Sequence, residues 1–344
     1  MRRSPLTFAT IATMLLVAAA CAAPRQSAPT TSPGGTAAGT AAATATPSFA
    51  GKTLNVVTGG TGGVYIIYGA GLAELLNKKL GTAASAQSTP ASVDNMKLIR
   101  DGKADLAFVL SDTAYDAVKG LGRFAAPETK ADAKAIAVLY NNFTHIVVRD
   151  DSQIRTIADL KGKRVNTGAA GSGTEIIANR TLEAYGIDAA KDIQRERTAV
   201  ADAAAQLKDN RIDAFIWSGG LPTGAVADLT STVKIRILDQ SEGIKKMAEK
   251  YGPFYFETKI PTGTYGLTAD AKVSGVANLL VVPSNIDAAL VQAVLRTMFD
   301  SSSELGTIHA EAKNLKLDTA TVGSPIDFHP GAIEYYKSKN AWKG

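Results

Sequence analysis

At 344 residues, 45% of them hydrophobic and 20% charged, the chain has room for two domains and an ordinary globular composition. The formal net charge is +5, two units of which come from Arg2 and Arg3. Lys and Arg are scattered rather than gathered into a stripe with interleaved aromatics, which excludes nucleic acid as a partner. Cys21 is the only cysteine, so no internal disulfide can form and the core must hold by packing alone.

The first 21 residues stand apart. Arg2 and Arg3 form a basic start, and Phe8 to Ala20 is an apolar run too short to span a bilayer as a folded helix. Ala18, Ala19 and Ala20 then lead into Cys21. This resembles a bacterial lipoprotein signal, which makes residues 1–21 a signal peptide and Cys21 the lipidated residue. The expected location is extracytoplasmic and membrane-anchored, in the periplasm or on the outer face of the cytoplasmic membrane. Ala18 replaces the leucine common at that place, so an ordinary secretory signal is the alternative. Residues 22–50 are rich in Ala, Thr, Ser, Pro and Gly, with Arg25 their only charge. They read as a disordered tether, reaching roughly 30 Å as a random coil.

From Leu54 the pattern changes to a β-favouring run, a loop with Gly59, Gly60, Gly62 and Gly63, and an apolar-periodic helix to about Leu80. A strand feeding a Gly-rich turn and a helix N-terminus presents free N–H groups and a positive dipole end, an arrangement suited to an anion. A second helix is expected around Val93 to Arg100. Gly102 ends it, and Asp105 to Leu110 is a strand closed by Ser111 and Asp112. The sequence then repeats the plan. Arg164 opens a strand, Gly168, Gly171 and Gly173 form a loop, and a helix follows. Ala201 to Lys208 is the second helix, Asn210 takes the left-handed stop that Gly102 took, and Asp213 to Trp217 is the strand. Thr58 to Asp105 spans 47 positions and Thr167 to Asp213 spans 46, a match that argues for two βαβ-type lobes built alike.

Ala135–Tyr140 and Ile146–Arg149 are strand-like and flank Asn141 to His145, a natural crossing from lobe to lobe. Ile235 to Leu238 reads as the return. One lobe is therefore expected over residues 51–142 and 240–344, and the other over 143–239. Leu279 to Val282 adds a strand and Ala288 to Phe299 a helix, with the tail completing the first lobe. The fold class is α/β, two-lobed, with two hinge crossings and a ligand cleft where the strand ends of both lobes meet.

Catalytic readings lack their parts. The loop at 168–174 has no phosphate-loop lysine, no G-x-S-x-G elbow is present, and His145, His309 and His329 have no metal spacing. The expectation is a binding protein, not an enzyme, with no cofactor and no metal. Hydroxyls at Thr58, Thr61, Ser172 and Thr174 supplement the loop amides. Ser111 and Asp112 end the strand of one lobe, and Trp217, Ser218, Gly219 and Gly220 that of the other. Trp217 either walls the cleft or packs in the core, and Tyr65 either caps the pocket or covers the first helical turn.

Seven phrases in fixed order carry a family resemblance: TGGTGGVY (Thr58 to Tyr65), SDTAY (Ser111 to Tyr115), DLKGKRV (Asp159 to Val165), GAAGSGTE (Gly168 to Glu175), LPTGAVADL (Leu221 to Leu229), IPTGTYG (Ile260 to Gly266) and HPGAIEYY (His329 to Tyr336). On these the chain resembles the TAXI family, the solute-binding subunits of TRAP transporters. The resemblance implies a type II-like periplasmic binding protein that closes on a small organic anion or amino acid. Glutamate, glutamine and 2-oxoglutarate are the kinds it suggests. It also implies delivery to a membrane permease driven by an ion gradient. The expected ligand contacts are Thr61, Gly62, Gly63, Tyr65, Ser111, Asp112, Ser172, Gly173, Thr174, Trp217 and Ser218. No arginine stands at the loops, so a carboxylate would be held by N–H and hydroxyl groups. Thr174→Ala and Tyr65→Ala are expected to weaken binding with little effect on the fold. The alternative is a sensor, reporting ligand occupancy to a membrane receptor.

Overall fold

The computed structural model describes residues 48–344, so the expected signal peptide, Cys21 and nearly all of the tether lie outside the described residues. The strands are β1 (Thr53–Val57), β2 (Ala83–Gln87), β3 (Leu106–Leu110), β4 (Ala133–Arg149), β5 (Arg164–Asn166), β6 (Gln194–Glu196), β7 (Ala214–Gly219), β8 (Ile235–Ile237), β9 (Phe256–Ile260) and β10 (Ala271–Pro283). They form one sheet in the order β2-β1-β3-β10-β4-β7-β5-β6, with β8 added to β4 and β9 to β10.

The repeat seen in the sequence is a repeat in space. β1 lies parallel to β2 and β3, and β5 lies parallel to β6 and β7. Thr58 and Thr167 do the same work: each donates its backbone N–H to the neighbouring strand's end, at Gln87 (3.0 Å) and Glu196 (2.9 Å). Asp105 and Asp213 are a second matched pair, accepting the N–H of Asn55 (2.7 Å) and of Arg164 (2.8 Å). Gly102 and Asn210 both have positive φ, +65° and +55°, and each stops its helix in the left-handed region that these residues tolerate.

Two long strands join the lobes. β4 has 17 residues and β10 has 13, and they run antiparallel past one another. The first part of β4 and the last part of β10 belong with β3; the end of β4 pairs with β7 and β8, and the start of β10 with β9. The outward crossing runs through Asn141 to His145. The return is not at Ile235–Leu238: that stretch is β8, a short strand on the end of β4, and the chain recrosses at Gly275 to Asn278 within β10. Helix Ser241–Tyr251 and β9 accordingly pack on the second lobe, where the Tyr185 hydroxyl accepts the Gly243 N–H. Gln240, 1% exposed, ties the crossing strands together. Its side chain donates to the Thr144 carbonyl of β4 (2.6 Å) and accepts from Ser274 of β10 (3.1 Å).

Strand alternation decides which face each residue serves. In β3 and β10, Phe108 and Leu280 join one core with Tyr68, Leu72, Leu76, Leu295 and Tyr336, whereas Ala107, Val109, Leu279 and Val281 join the opposite one with Met96 and Ile99. The C-terminal helices Ala288–Asp300 and Pro330–Ser338 complete the first of these cores, so the tail closes the first lobe. No helix among the described residues is long and apolar enough to cross a membrane.

Candidate functional site

Where the strand ends of the two lobes meet, the chain leaves a narrow cavity of about 30 Å³, room for about one water molecule, so the lobes stand closed on one another and a larger solute needs them to part. The first lobe supplies Gly59, Gly60, Gly63, Val64, Tyr65, Ala91, Ser92 and Leu110. The hinge strand β4 supplies Tyr140 and Asn142, and the second lobe Gly173, Thr174, Trp217, Ser218, Gly219 and Gly220.

The lobes approach closely because glycine stands at their contact points. A Cβ on Gly173 would come within 2.5 Å of Leu110 and 2.7 Å of the Ser92 hydroxyl, both across the cleft. Gly62 has φ +83°, and a Cβ there would meet Ala225 at 2.9 Å. Backbone bonds close the seam: Asp94 N–H to the Gly171 carbonyl (3.1 Å) and Ala225 N–H to the Gly62 carbonyl (3.3 Å). The Glu311 carboxylate, in the C-terminal part of the first lobe, accepts the Leu221 N–H of the second. Burial raises the Glu311 pKa above the ordinary carboxylate range.

A buried polar chain floors the cavity and crosses both hinge strands. The Tyr65 hydroxyl donates to Asn278 Oδ1, Asn278 Nδ2 donates to Asn142 Oδ1 (2.7 Å), and Asn142 Nδ2 donates to the Ser218 carbonyl (3.1 Å). The Ser218 N–H in turn donates to the Thr174 hydroxyl (3.3 Å). Trp217 is half-buried, its indole N–H donating to Thr223 (2.9 Å) while the ring faces the cavity beside Gly63 and Gly219.

Helix ends supply the electrostatics. Helices Val64–Leu80, Ser92–Arg100 and Ser111–Lys119 have N-cap residues Gly63, Ala91 and Leu110, all three of which line the cavity and none of which offers a side-chain cap. The N–H groups of a first helical turn have no partner inside the helix, and the dipole makes that end positive. Ala91 holds φ +104°, a costly conformation for a residue with a Cβ, at the point where its helix enters the wall.

Of the residues expected from sequence, Gly63, Tyr65, Gly173, Thr174, Trp217 and Ser218 are brought together around the cavity. The other five are outside its lining. Thr61 is exposed on the rim, and Gly62 is used in the lobe contact. The Ser172 hydroxyl caps helix Gly173–Ala184 by accepting the Glu175 N–H (3.0 Å). Ser111 is buried at the start of its helix rather than at a free strand end. Asp112 accepts from the Tyr255 hydroxyl (2.6 Å) and from Arg180 (3.4 Å), which also reaches Asp116 (2.5 Å). This buried ion cluster joins helix Ser111–Lys119 of one lobe to helix Gly173–Ala184 of the other. Tyr65 is not a removable cap, because its ring packs against Phe108 with centroids 5.4 Å apart. Tyr65→Ala would therefore open the core, at about 3–5 kcal/mol, against the expectation of little effect on the fold. Sequence reasoning missed Ser92, Tyr140 and Asn142. The available signal is the crossing at Asn141–His145, because a crossing strand between two loops has to pass beneath them.

The sequence profile of the NMT1-like family matches residues 56–339. Among solved structures, the binding protein component of an ABC phosphonate transporter from Pseudomonas aeruginosa is 13% identical, with 77% of this chain and 80% of that chain covered and a TM-score of 0.53. A protein from Bordetella bronchiseptica RB50 is 19% identical, with 85% and 89% covered and a TM-score of 0.50. At such identities the likeness is one of fold, the mixed α/β type II periplasmic binding protein fold. The family match spans most of the chain, its matched region holding both Gly loops, both hinge strands and every residue that lines the cavity, and the chain belongs to the NMT1-like family.

Proposed function

We propose that this chain is an extracytoplasmic solute-binding protein, the receptor of a TRAP transporter of the TAXI type. It takes a small organic acid or amino acid of the glutamate, glutamine or 2-oxoglutarate kind and presents it to an ion-gradient-driven permease. The observation that carries the reading is the cavity itself. It lies between two lobes joined by two hinge strands, and it is lined by three uncapped helix N-termini from one lobe and by hydroxyls and glycines from the other. Both lobes line the cavity, so a solute that touches both favours the closed arrangement and shifts the population towards it. The Gly loops and the run of family-like phrases support the TAXI type, and the signal-like start with Cys21 supports a lipid anchor.

Calorimetry against a panel of small organic acids and amino acids tests the site. Thr174→Ala removes a hydroxyl from the cavity wall and should weaken binding about tenfold, the worth of one hydrogen bond, at a stability cost of about 1–3 kcal/mol because the buried Ser218 N–H loses its acceptor. A panel member bound equally well by wild type and variant would place the solute elsewhere.

A further inference from the structure

The charge balance of the cavity narrows the solute class, on the reading that this cavity is where the solute binds. None of the residues that line it has a charged side chain. Three carboxylates near it are engaged by the protein. Asp112 is held by Arg180, Tyr255 and the Thr113 N–H. Glu175 is held by Arg195 (3.0 Å), Arg197 (3.4 Å), Arg123 (3.5 Å) and the Gly171 N–H. Glu311 accepts from the Leu221 N–H and from Asn314. Asp94 packs against the Gly171 backbone, outside the lining. An ammonium group taken into this space would leave water without meeting a counter-charge, which is strongly unfavourable.

Donors, by contrast, converge. Gly63, Ala91 and Leu110 bring three helix N-termini to the wall, two of which already spend one first-turn N–H each, Asp94 on the Gly171 carbonyl and Thr113 on Asp112. Tyr140 stands beside them on β4. It lines the cavity and is 4% exposed, yet its hydroxyl has no hydrogen-bond partner among the described residues. Buried hydroxyls are ordinarily bonded, so this one has capacity for an acceptor, from the cavity or from the neighbouring pocket that Tyr140 also lines beside Glu311. Burial raises the Tyr140 pKa well above that of a free phenol, which keeps the proton on the oxygen as a donor. We infer that the site takes a small organic anion that carries no ammonium group, and that the Tyr140 hydroxyl donates to that anion.

The test uses matched acids that differ only at the second carbon, bearing an oxo, hydroxy or amino group: 2-oxoglutarate, 2-hydroxyglutarate and glutamate, and the corresponding set built on leucine. Titration calorimetry on the purified protein should show the oxo or hydroxy member of a set binding at least tenfold more tightly than its amino counterpart. Tyr140→Phe should weaken binding of the preferred acid about tenfold. An amino acid bound as tightly as its oxo partner, or more so, overturns the anion-only site. An unchanged affinity in a folded Tyr140→Phe overturns the hydroxyl contact. Should that variant not fold, the matched acids still decide the solute class on the wild-type protein. Heat from no member of either set would sink the reading of the cavity as a solute site, and this inference with it.

Discussion

Glycine at position 219 is what lets an indole stand in the cavity wall. A Cβ there would lie 2.2 Å from Trp217 Nε1 and 2.6 Å from its Cε2, too close for any side chain. Gly63 faces the same ring from the other lobe, where a Cβ would come to 3.2 Å. Trp217 is thus held between two glycines, one from each lobe. Gly219→Ala should push the indole off its bond to Thr223 and into the cavity. We expect a loss of stability of about 1–3 kcal/mol, the usual cost of overpacking. Solute affinity should fall more than tenfold, read by calorimetry, with a shifted tryptophan emission. Unchanged affinity together with unchanged emission would mean that the ring has room to spare. At this scale the Gly residues were legible as a pattern, but their partners were not. Nothing local to GAAGSGTE says that Ser172 turns its hydroxyl to the helix while Thr174 offers its own to the Ser218 N–H at the cavity wall.

His145 shows how an element carries a charge decision. It lies on β4 at the end of the crossing, fully buried, with Nδ1 at 2.8 Å from the Phe143 carbonyl and Nε2 at 3.3 Å from the Tyr265 hydroxyl. Desolvation is the main cause that lowers its pKa to about 4, only partly opposed by hydrogen bonds to the backbone. The unfolded chain would hold a proton on this imidazole below about 6.5, whereas the folded chain refuses it until about 4. Stability from this residue is therefore full above pH 6.5 and is lost as pH falls through that window, by on the order of 3 kcal/mol. Urea melts of wild type and His145→Gln at pH 7.5 and 4.5 should differ in slope, with the variant losing less on acidification. Equal losses would show that His145 is protonated freely in the folded protein.

Elements were more legible than side chains, for a reason that the two lobes make plain. The Gly loops, the paired left-handed stops and the first crossing all rest on local chemistry, and local chemistry is what a sequence displays. The edge strands β2 and β6 were missed because AASAQ and QRE carry neither alternation nor β-branched residues, and they become strands only by lying against β1 and β5. The return crossing was misplaced for a related reason. The first eight residues of β10 include Ser274, Gly275 and Asn278, poor strand formers at the hinge, so only its apolar end at Leu279 to Val282 is visible in the sequence.

For the whole molecule, the balance between open and closed lobes rests on bonds across the seam, and the Arg180 cluster is the most deeply buried of them. Asp112 is wholly buried and Asp116 nearly so. Burial opposes the charge on Arg180, but Tyr255, Asp112 and Asp116 together hold the guanidinium above its ordinary pKa. Removing one partner of a buried pair leaves the other uncompensated, at about 3–5 kcal/mol. Arg180→Met can relieve that cost by parting the lobes and returning the carboxylates to water. Small-angle scattering of the solute-free variant should give a larger radius of gyration than wild type, and solute binding should weaken. A scattering profile identical to wild type would show that the cluster fastens surfaces that never separate.

The recrossing within β10 has a consequence for how the chain is made. The second lobe is one uninterrupted stretch, available as soon as residue 275 or so has emerged, whereas the first lobe is split between the beginning and the end of synthesis. Tyr336 is buried beneath it with its hydroxyl on the Ile136 carbonyl (3.0 Å), a bond between residues 200 positions apart. A nascent chain must therefore carry β1 and β3 without the apolar cover of Leu290, Leu295 and Tyr336 until the residues around 336 have left the ribosome. That interval is when the protein is most exposed to aggregation and most open to a holding chaperone.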